Sequence, residues 1–175
     1  MKKREEKNIE FPSLYRRVYS SGALVKTLKV FDIAAVVLVA VAYLVMLIIL
    51  GSFSFVLALH LFSLSAIPFL GVSLFRKFFN APRPYELYDF GAEGITPVGR
   101  KKGSSFPSRH VFSAFLIGSL FCFTETPVGI AVLVLGAVLA VCRVLLGIHF
   151  IRDVVAGMLI GTVLGSLGGL IIILI

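Results

Sequence analysis

Apolar residues crowd into five runs, at 30–50, 53–75, 107–124, 127–146 and 151–175, with polar residues gathered almost entirely between them. A helix needs about 20 apolar residues to cross a hydrocarbon core of about 30 Å, so each run predicts a membrane helix. The expected fold is all-α, a polytopic membrane helix bundle of about five transmembrane helices. The third run is the shortest, which places its first turn slightly below the headgroups. Gly51-Ser52 and Glu125-Thr126 predict tight turns, whereas 76–108 is long, polar and punctuated by proline and glycine, the pattern of a functional or disordered loop. Ahead of the first run, Phe11, Leu14, Tyr15 and Val18 recur at helical spacing with Arg16 and Arg17 on the opposite side. That pattern fits a short helix lying in the membrane interface, started by Pro12 and broken at Ser20-Ser21-Gly22, and equally a partly disordered tail. The chain thus divides into a basic tail or interfacial helix, 1–29, and a membrane domain, 30–175.

Within the last run Gly157, Gly161, Gly165 and Gly169 fall every four residues, and the same row extended backwards meets Asp153 and His149. Small residues on one ridge let a second helix approach closely, so the row predicts a groove that holds this helix against a neighbour. His60 lies inside the second run and reads as a packed or hydrogen-bonded core residue. Asp32 stands in the first turn of the first span, where a carboxylate suits the helix dipole.

Composition agrees with the pattern: 58% of the 175 residues are hydrophobic, 15% are charged, and the mean hydropathy is +1.01. The net charge of +8 reads as topology rather than nucleic-acid binding, because with five spans all 17 lysines and arginines fall on one side. The positive-inside rule then puts the N-terminus and the polar loops in the cytoplasm, and the expected location is the bacterial plasma membrane. The first run lacks the features of a cleaved signal peptide and reads as a retained span. Cys122 and Cys142 form no spaced pair and predict neither a disulfide framework nor a zinc site.

The chemistry lies in three short stretches that the span count brings to the same side. They are Arg76-Lys77 with Asn80-Ala81-Pro82-Arg83-Pro84, then Ser104 through His110, and the segment 142–153 with Arg143, His149, Arg152 and Asp153. Guanidinium forks match phosphate oxygens, and the N–H groups at a helix start near Ser108 and Arg109 add an anion site. His149 and Asp153 are four apart, which on a helix puts the carboxylate one turn from the imidazole. A neutral His149 then suits nucleophilic attack on phosphorus, with Asp153 holding the other ring nitrogen. His110 suits protonation of the leaving group and activation of water. Guanidinium groups supply the charge stabilisation, so no cofactor or metal is called for. A competing two-histidine, one-carboxylate metal site from His110, His149 and Asp153 is disfavoured by the cations of Arg76, Arg83, Arg109 and Arg143.

These stretches resemble the signature of the type 2 phosphatidic acid phosphatase family, membrane lipid phosphatases that share their pocket with vanadium haloperoxidases. Arg76 and Arg83-Pro84 stand at the spacing of the first motif, Pro107, Ser108 and His110 match the second, and Arg143, His149 and Asp153 match the third. The resemblance spans about 53–170 and implies His149 as nucleophile, His110 as acid, and Arg76, Arg83, Ser108 and Arg143 as phosphate binders. Arg76 replaces the usual lysine, Arg109 the usual glycine and Cys142 the usual serine, and five spans replace the family's usual six. Arg109 keeps the backbone N–H and brings a bulky cation that either crowds the pocket or joins the phosphate-binding set, and Lys77 is a second candidate for the role of the missing lysine.

The implied activity is hydrolysis of a phosphomonoester or diphosphate headgroup through a phosphohistidine. A cytoplasmic site favours phosphatidylglycerophosphate or phosphatidic acid, and an outward one undecaprenyl pyrophosphate. The implied partners are a lipid phosphate substrate and the bilayer; the oligomeric state is not encoded. A lipid phosphotransferase using the same pocket, or a non-enzymatic transporter or scaffold, are the alternatives. Tyr85, Tyr88, Phe90, Lys101 and Lys102 of the long loop suit contact with headgroups, a lid, or a solvated loop anchored by its aromatic residues.

Overall fold

A computed structural model describes residues 11–98 and 101–174, so the basic run at positions 2–7 and Gly99 lie outside the described residues. The described chain is all-helical, as expected: α1 (Ser13–Tyr19), α2 (Gly22–Phe53), α3 (Phe55–Phe79), α4 (Pro84–Leu87), α5 (Arg109–Phe121), α6 (Thr126–Leu145) and α7 (Ile151–Leu174). Four of these, α2, α3, α6 and α7, are long and apolar enough to cross a membrane, and the protein is an integral membrane protein. The large apolar side chains they leave exposed, such as Ile33, Phe62, Ile67, Val134 and Leu159, are suited to lipid contact.

The helix of the third run is shorter than the run itself. At 13 residues, α5 is about 20 Å long, less than a hydrocarbon core requires, and it is enclosed rather than lipid-facing. Val111, Phe112, Ala114, Leu116, Leu120 and Phe121 are all buried. The glycine row of α7 explains this central position. A Cβ at Gly157 would stand 2.8 Å from the Ser108 carbonyl oxygen, and one at Gly161 would stand 2.5 Å from that of Phe112. At Gly165 it would meet the Leu116 carbonyl, and at Gly169 the Phe123 ring. The groove therefore seats α5 backbone to backbone along most of its length.

Two boundaries differ from the sequence pattern. α2 begins at Gly22 and runs through Gly51-Ser52, because Ser52 returns its hydroxyl to the Ile49 carbonyl at 2.7 Å and stays helical. The break falls at Ser54, whose backbone is extended and whose hydroxyl accepts from Leu57 N–H, capping α3. His60 bonds the Val56 carbonyl of its own helix at 2.8 Å, the satisfied role expected of it.

The short N-terminal helix does form, yet its apolar side is covered by protein. Phe11 and Tyr15 pack on Phe90 with ring centroids 5.0 and 5.4 Å apart, and Tyr88 joins them. Tyr19 donates to the Leu146 carbonyl at 3.0 Å, and Arg16 pairs with Glu93 at 2.8 Å. The aromatic residues of the long loop thus anchor it to α1, while Lys101 and Lys102 remain exposed.

Candidate active site

Two loops and three helix ends build one buried polar cluster. The loops zip together first: Ser105 N–H bonds the Ala81 carbonyl, and Glu86 accepts from the N–H groups of Arg83 and Gly103, each at 2.8 Å. Ser108 N–H bonds the Asp153 carbonyl at 2.8 Å, which ties the start of α5 to the start of α7. The turn between α6 and α7 closes with Ile148 and His149 N–H groups on the Arg143 carbonyl, and Gly147 supplies the positive φ of 64° that the turn needs.

His149 sits in that turn rather than on α7, so its pairing with Asp153 is not a helix-face contact. Its Nδ1 lies 3.5 Å from Asp153 Oδ2 and 3.2 Å from Ser105 Oγ, and Ser105 Oγ donates to the same carboxylate oxygen. Phe150 N–H also donates to Asp153 Oδ2, at 3.1 Å. Imidazole, hydroxyl and carboxylate are all buried. Burial pushes the His149 pKa down to about 4; Asp153 opposes the shift, and Arg83 and Arg143 add to it. The ring is therefore neutral at ordinary pH and held through Nδ1, with Nε2 outside these contacts.

The arginines differ in how much of each guanidinium is committed. Arg76 is buried and donates to the carbonyls of Ser104, Ser105 and Pro107, fastening the loop, which leaves two of its five donors. Arg83 bonds the Gly103 and Ile148 carbonyls at 3.1 and 3.3 Å. Arg143 is clasped by Asp32, with Nε–Oδ1 at 2.9 Å and Nη2–Oδ2 at 3.1 Å. Lys77 is exposed, so the buried cation of this pair is Arg76. His110 is half-buried at the start of α5, where burial and the charges of Arg143, Arg109 and Arg76 push its pKa down to about 3 in the absence of a bound anion. The Ser108 hydroxyl is buried without a hydrogen-bond partner among the described residues, and a phosphate oxygen is a partner of the right kind.

All eight candidate residues therefore gather around one point. Ser105 and Asp32 belong to the cluster and were given no site role by the sequence, although Ser105 lies inside one of the three stretches. Asp32 signalled itself only as a carboxylate in an apolar run, 111 positions from the arginine it meets. Among the described residues no three His, Cys, Asp or Glu side chains are arranged to hold a metal ion. Beside the cluster lies an apolar cavity of about 320 Å³, lined by His110 at one end and by Tyr43, Phe62, Ser65, Phe69 and Ile117 further in.

A neutral buried histidine ringed by guanidinium groups at one end of a membrane bundle defines the chain as a membrane phosphatase by architecture. It belongs to the PAP2 superfamily, whose family model matches residues 33–171. Among solved structures it is similar to Aquifex aeolicus LpxE, with a TM-score of 0.68 and 23% identity over 91% of this chain and 96% of that one. It is also similar to a Bacillus subtilis transmembrane PAP2-type phosphatidylglycerolphosphate phosphatase, with a TM-score of 0.47 and 24% identity over 89% of each chain. No curated protein sequence matches it.

Proposed function

We propose that this phosphatase hydrolyses a lipid phosphate through a phosphohistidine formed on His149. The observation that carries the reading is the Ser105–His149–Asp153 cluster, a buried neutral imidazole fixed at Nδ1 and surrounded by the guanidinium groups of Arg76 and Arg83, tied to carbonyls, and of Arg143, paired with Asp32. In the first step Nε2 attacks phosphorus, the bond to the leaving oxygen breaks, and His110, protonated once the anionic phosphate offsets the guanidinium charge around it, gives that oxygen a proton. Asp153 stabilises the ring as it becomes positive, while free donors of Arg76, Arg83 and Arg143 and the Ser108 hydroxyl hold the three non-bridging oxygens. His110, now neutral, takes a proton from water as the water attacks phosphorus, releasing inorganic phosphate and restoring His149.

The lipid part of the substrate is supported by the cavity beside His110. A volume of about 320 Å³ is at the lower end of the roughly 300–1,000 Å³ usual for ligand pockets, enough for part of one hydrocarbon chain. Of its polar lining groups, the Tyr43 and Ser65 hydroxyls bond each other at 2.6 Å and Ser113 donates to the Arg109 carbonyl at 2.9 Å. With the site facing the cytoplasm, as its cations favour, phosphatidylglycerophosphate and phosphatidic acid are the candidates, and undecaprenyl pyrophosphate is the candidate for an outward-facing site.

Purified protein is expected to release inorganic phosphate from a lipid phosphate without an added acceptor, and to do so in the presence of a strong chelator. Replacing His149 with Ala should abolish turnover, and His110→Ala should lower it by about 10²–10⁴-fold. Rapid acid-free quenching with labelled substrate should trap a phosphoenzyme in the wild type and none in His149→Ala. Undiminished turnover by His149→Ala would sink the mechanism, and strict dependence on an acceptor alcohol would make the protein a transferase.

A further inference from the structure

Asp32 is a buried carboxylate in the apolar helix α2, and it faces one of the cluster's arginines rather than the reacting groups. Nη2 of Arg143 donates to Asp32 Oδ2 at 3.1 Å, and Nε stands 2.9 Å from Oδ1. The carboxylate thus lies along one edge of the guanidinium plane. Nη1, on the other edge, makes no hydrogen bond among the described residues, and no second carboxylate among them is within ion-pair distance of Arg143. The main chain of Arg143 is engaged as well: its carbonyl accepts from Ile148 and His149 N–H, so Asp32 holds the residue that holds the His149 turn. The charge of Arg143 acts on both His149 and His110. One turn deeper in both helices, Ala35, Leu139 and Ala140 join Val111 and Val154 in a buried apolar cluster. The pair therefore rests on an apolar floor, with the polar cluster above it.

Stability alone does not account for such a pair. Taking two charges out of water costs about what their attraction gives back, and apolar residues of the same shape often serve as well. What the pair supplies is direction, because a planar guanidinium gripped along one edge has its other edge fixed. A phosphoryl group in transfer spreads its charge over three oxygens, and a group misplaced by about 1 Å can cost about 10²-fold in rate. The carboxylate also offsets part of the Arg143 charge, which would otherwise strengthen the hold on released phosphate.

We propose that Asp32 is a positioning residue for the hydrolysis, aiming the Nη1 edge of Arg143 at the phosphoryl oxygens and loosening its grip on the phosphate product. The inference rests on the phosphatase reading above. Asp32 touches no reacting atom and exchanges no proton. It acts through Arg143, and both effects disappear when that guanidinium is removed.

The test uses the purified full chain in detergent micelles, with phosphatidic acid, phosphatidylglycerophosphate and undecaprenyl pyrophosphate as substrates, inorganic phosphate as inhibitor, and a thermal melt of each variant. Asp32→Asn keeps the size and removes the charge. It is expected to lower kcat by about 10–100-fold with KM no higher, and to tighten inhibition by phosphate by about three- to tenfold. Loss of folded protein also lowers kcat but leaves the inhibition constant where it was, so a merely structural pair predicts no tightening. Asp32→Glu keeps the charge and displaces the guanidinium by one methylene. It should melt with the wild type, keep the wild-type inhibition constant and lose kcat by about tenfold. Wild-type turnover by Asp32→Glu, or inhibition that is unchanged or weaker in Asp32→Asn, would overturn the proposal. If Asp32→Asn does not fold, the double variant Asp32→Asn/Arg143→Gln decides: it should turn over as Arg143→Gln alone does, and a further loss would overturn the role of Asp32. Each of these outcomes leaves the wild type a phosphatase, whereas a wild type inactive on all three lipids would remove the phosphatase reading itself, and the role of Asp32 with it.

Discussion

At the scale of single residues, burial does at His149 what a buffer does in solution, fixing which protonation state is present. A folded pKa of about 4 against an unfolded value of 6.5 means that, as pH falls through this window, the unfolded chain takes up a proton the folded chain refuses. Stability from this residue is therefore complete above about pH 6.5 and is lost progressively towards pH 4. Thermal midpoints measured from pH 7 to pH 4 should fall less steeply in His149→Gln than in the wild type; parallel curves would contradict the shift. The same depression should put the acid limb of kcat/KM that His149 contributes near pH 4 rather than near 6.5. The three motif stretches that hold His149, His110 and the arginines were legible because their residue types are rare inside apolar runs. What escaped was pairing. Nothing local to Asp32 points to Arg143, and the donation of Arg76 to three carbonyls follows from the path of the 104–107 loop, which no periodicity encodes.

Among the helices, α5 and α7 form the unit on which the reaction geometry depends. Ser108 and His110 enter from one and Asp153 from the other, and the glycine row sets the distance between the two backbones. A leucine at Gly161 would drive its Cβ onto the Phe112 carbonyl and is expected to cost about 1–3 kcal/mol or more, with kcat/KM falling further than the loss of folded protein explains. A thermal melt and a substrate titration on the same preparation separate the two effects, and unchanged values in both would refute the packing argument. The groove itself was readable from the four-residue spacing, while its occupant was not. The ends of α2 and α3 were misplaced because a Gly-Ser pair looks like a turn in sequence, whereas Ser52 can satisfy its hydroxyl on the helix and Ser54 can cap the next one.

For the molecule as a whole, the bundle is a charged cap on an apolar body. The described lysines and arginines lie on the tail, the 76–109 segment and the 143–153 turn, all at the end where α5 and α7 begin. A cysteine introduced at exposed Lys101, in a variant with Cys122 and Cys142 replaced by alanine, should react with a membrane-impermeant maleimide only after the membrane is opened. Labelling in intact cells would reverse the proposed facing and would favour substrates of the outer leaflet. At that same end, α1 is fastened by Tyr19 to the Leu146 carbonyl, a bond between residues 127 positions apart. The strap therefore leaves the ribosome well before the turn it grips, which follows α6, and finds its seat only once that turn has been made. Until then the half-made chain carries no assembled pocket, and a nascent enzyme of this kind is silent towards the lipids it is being threaded into.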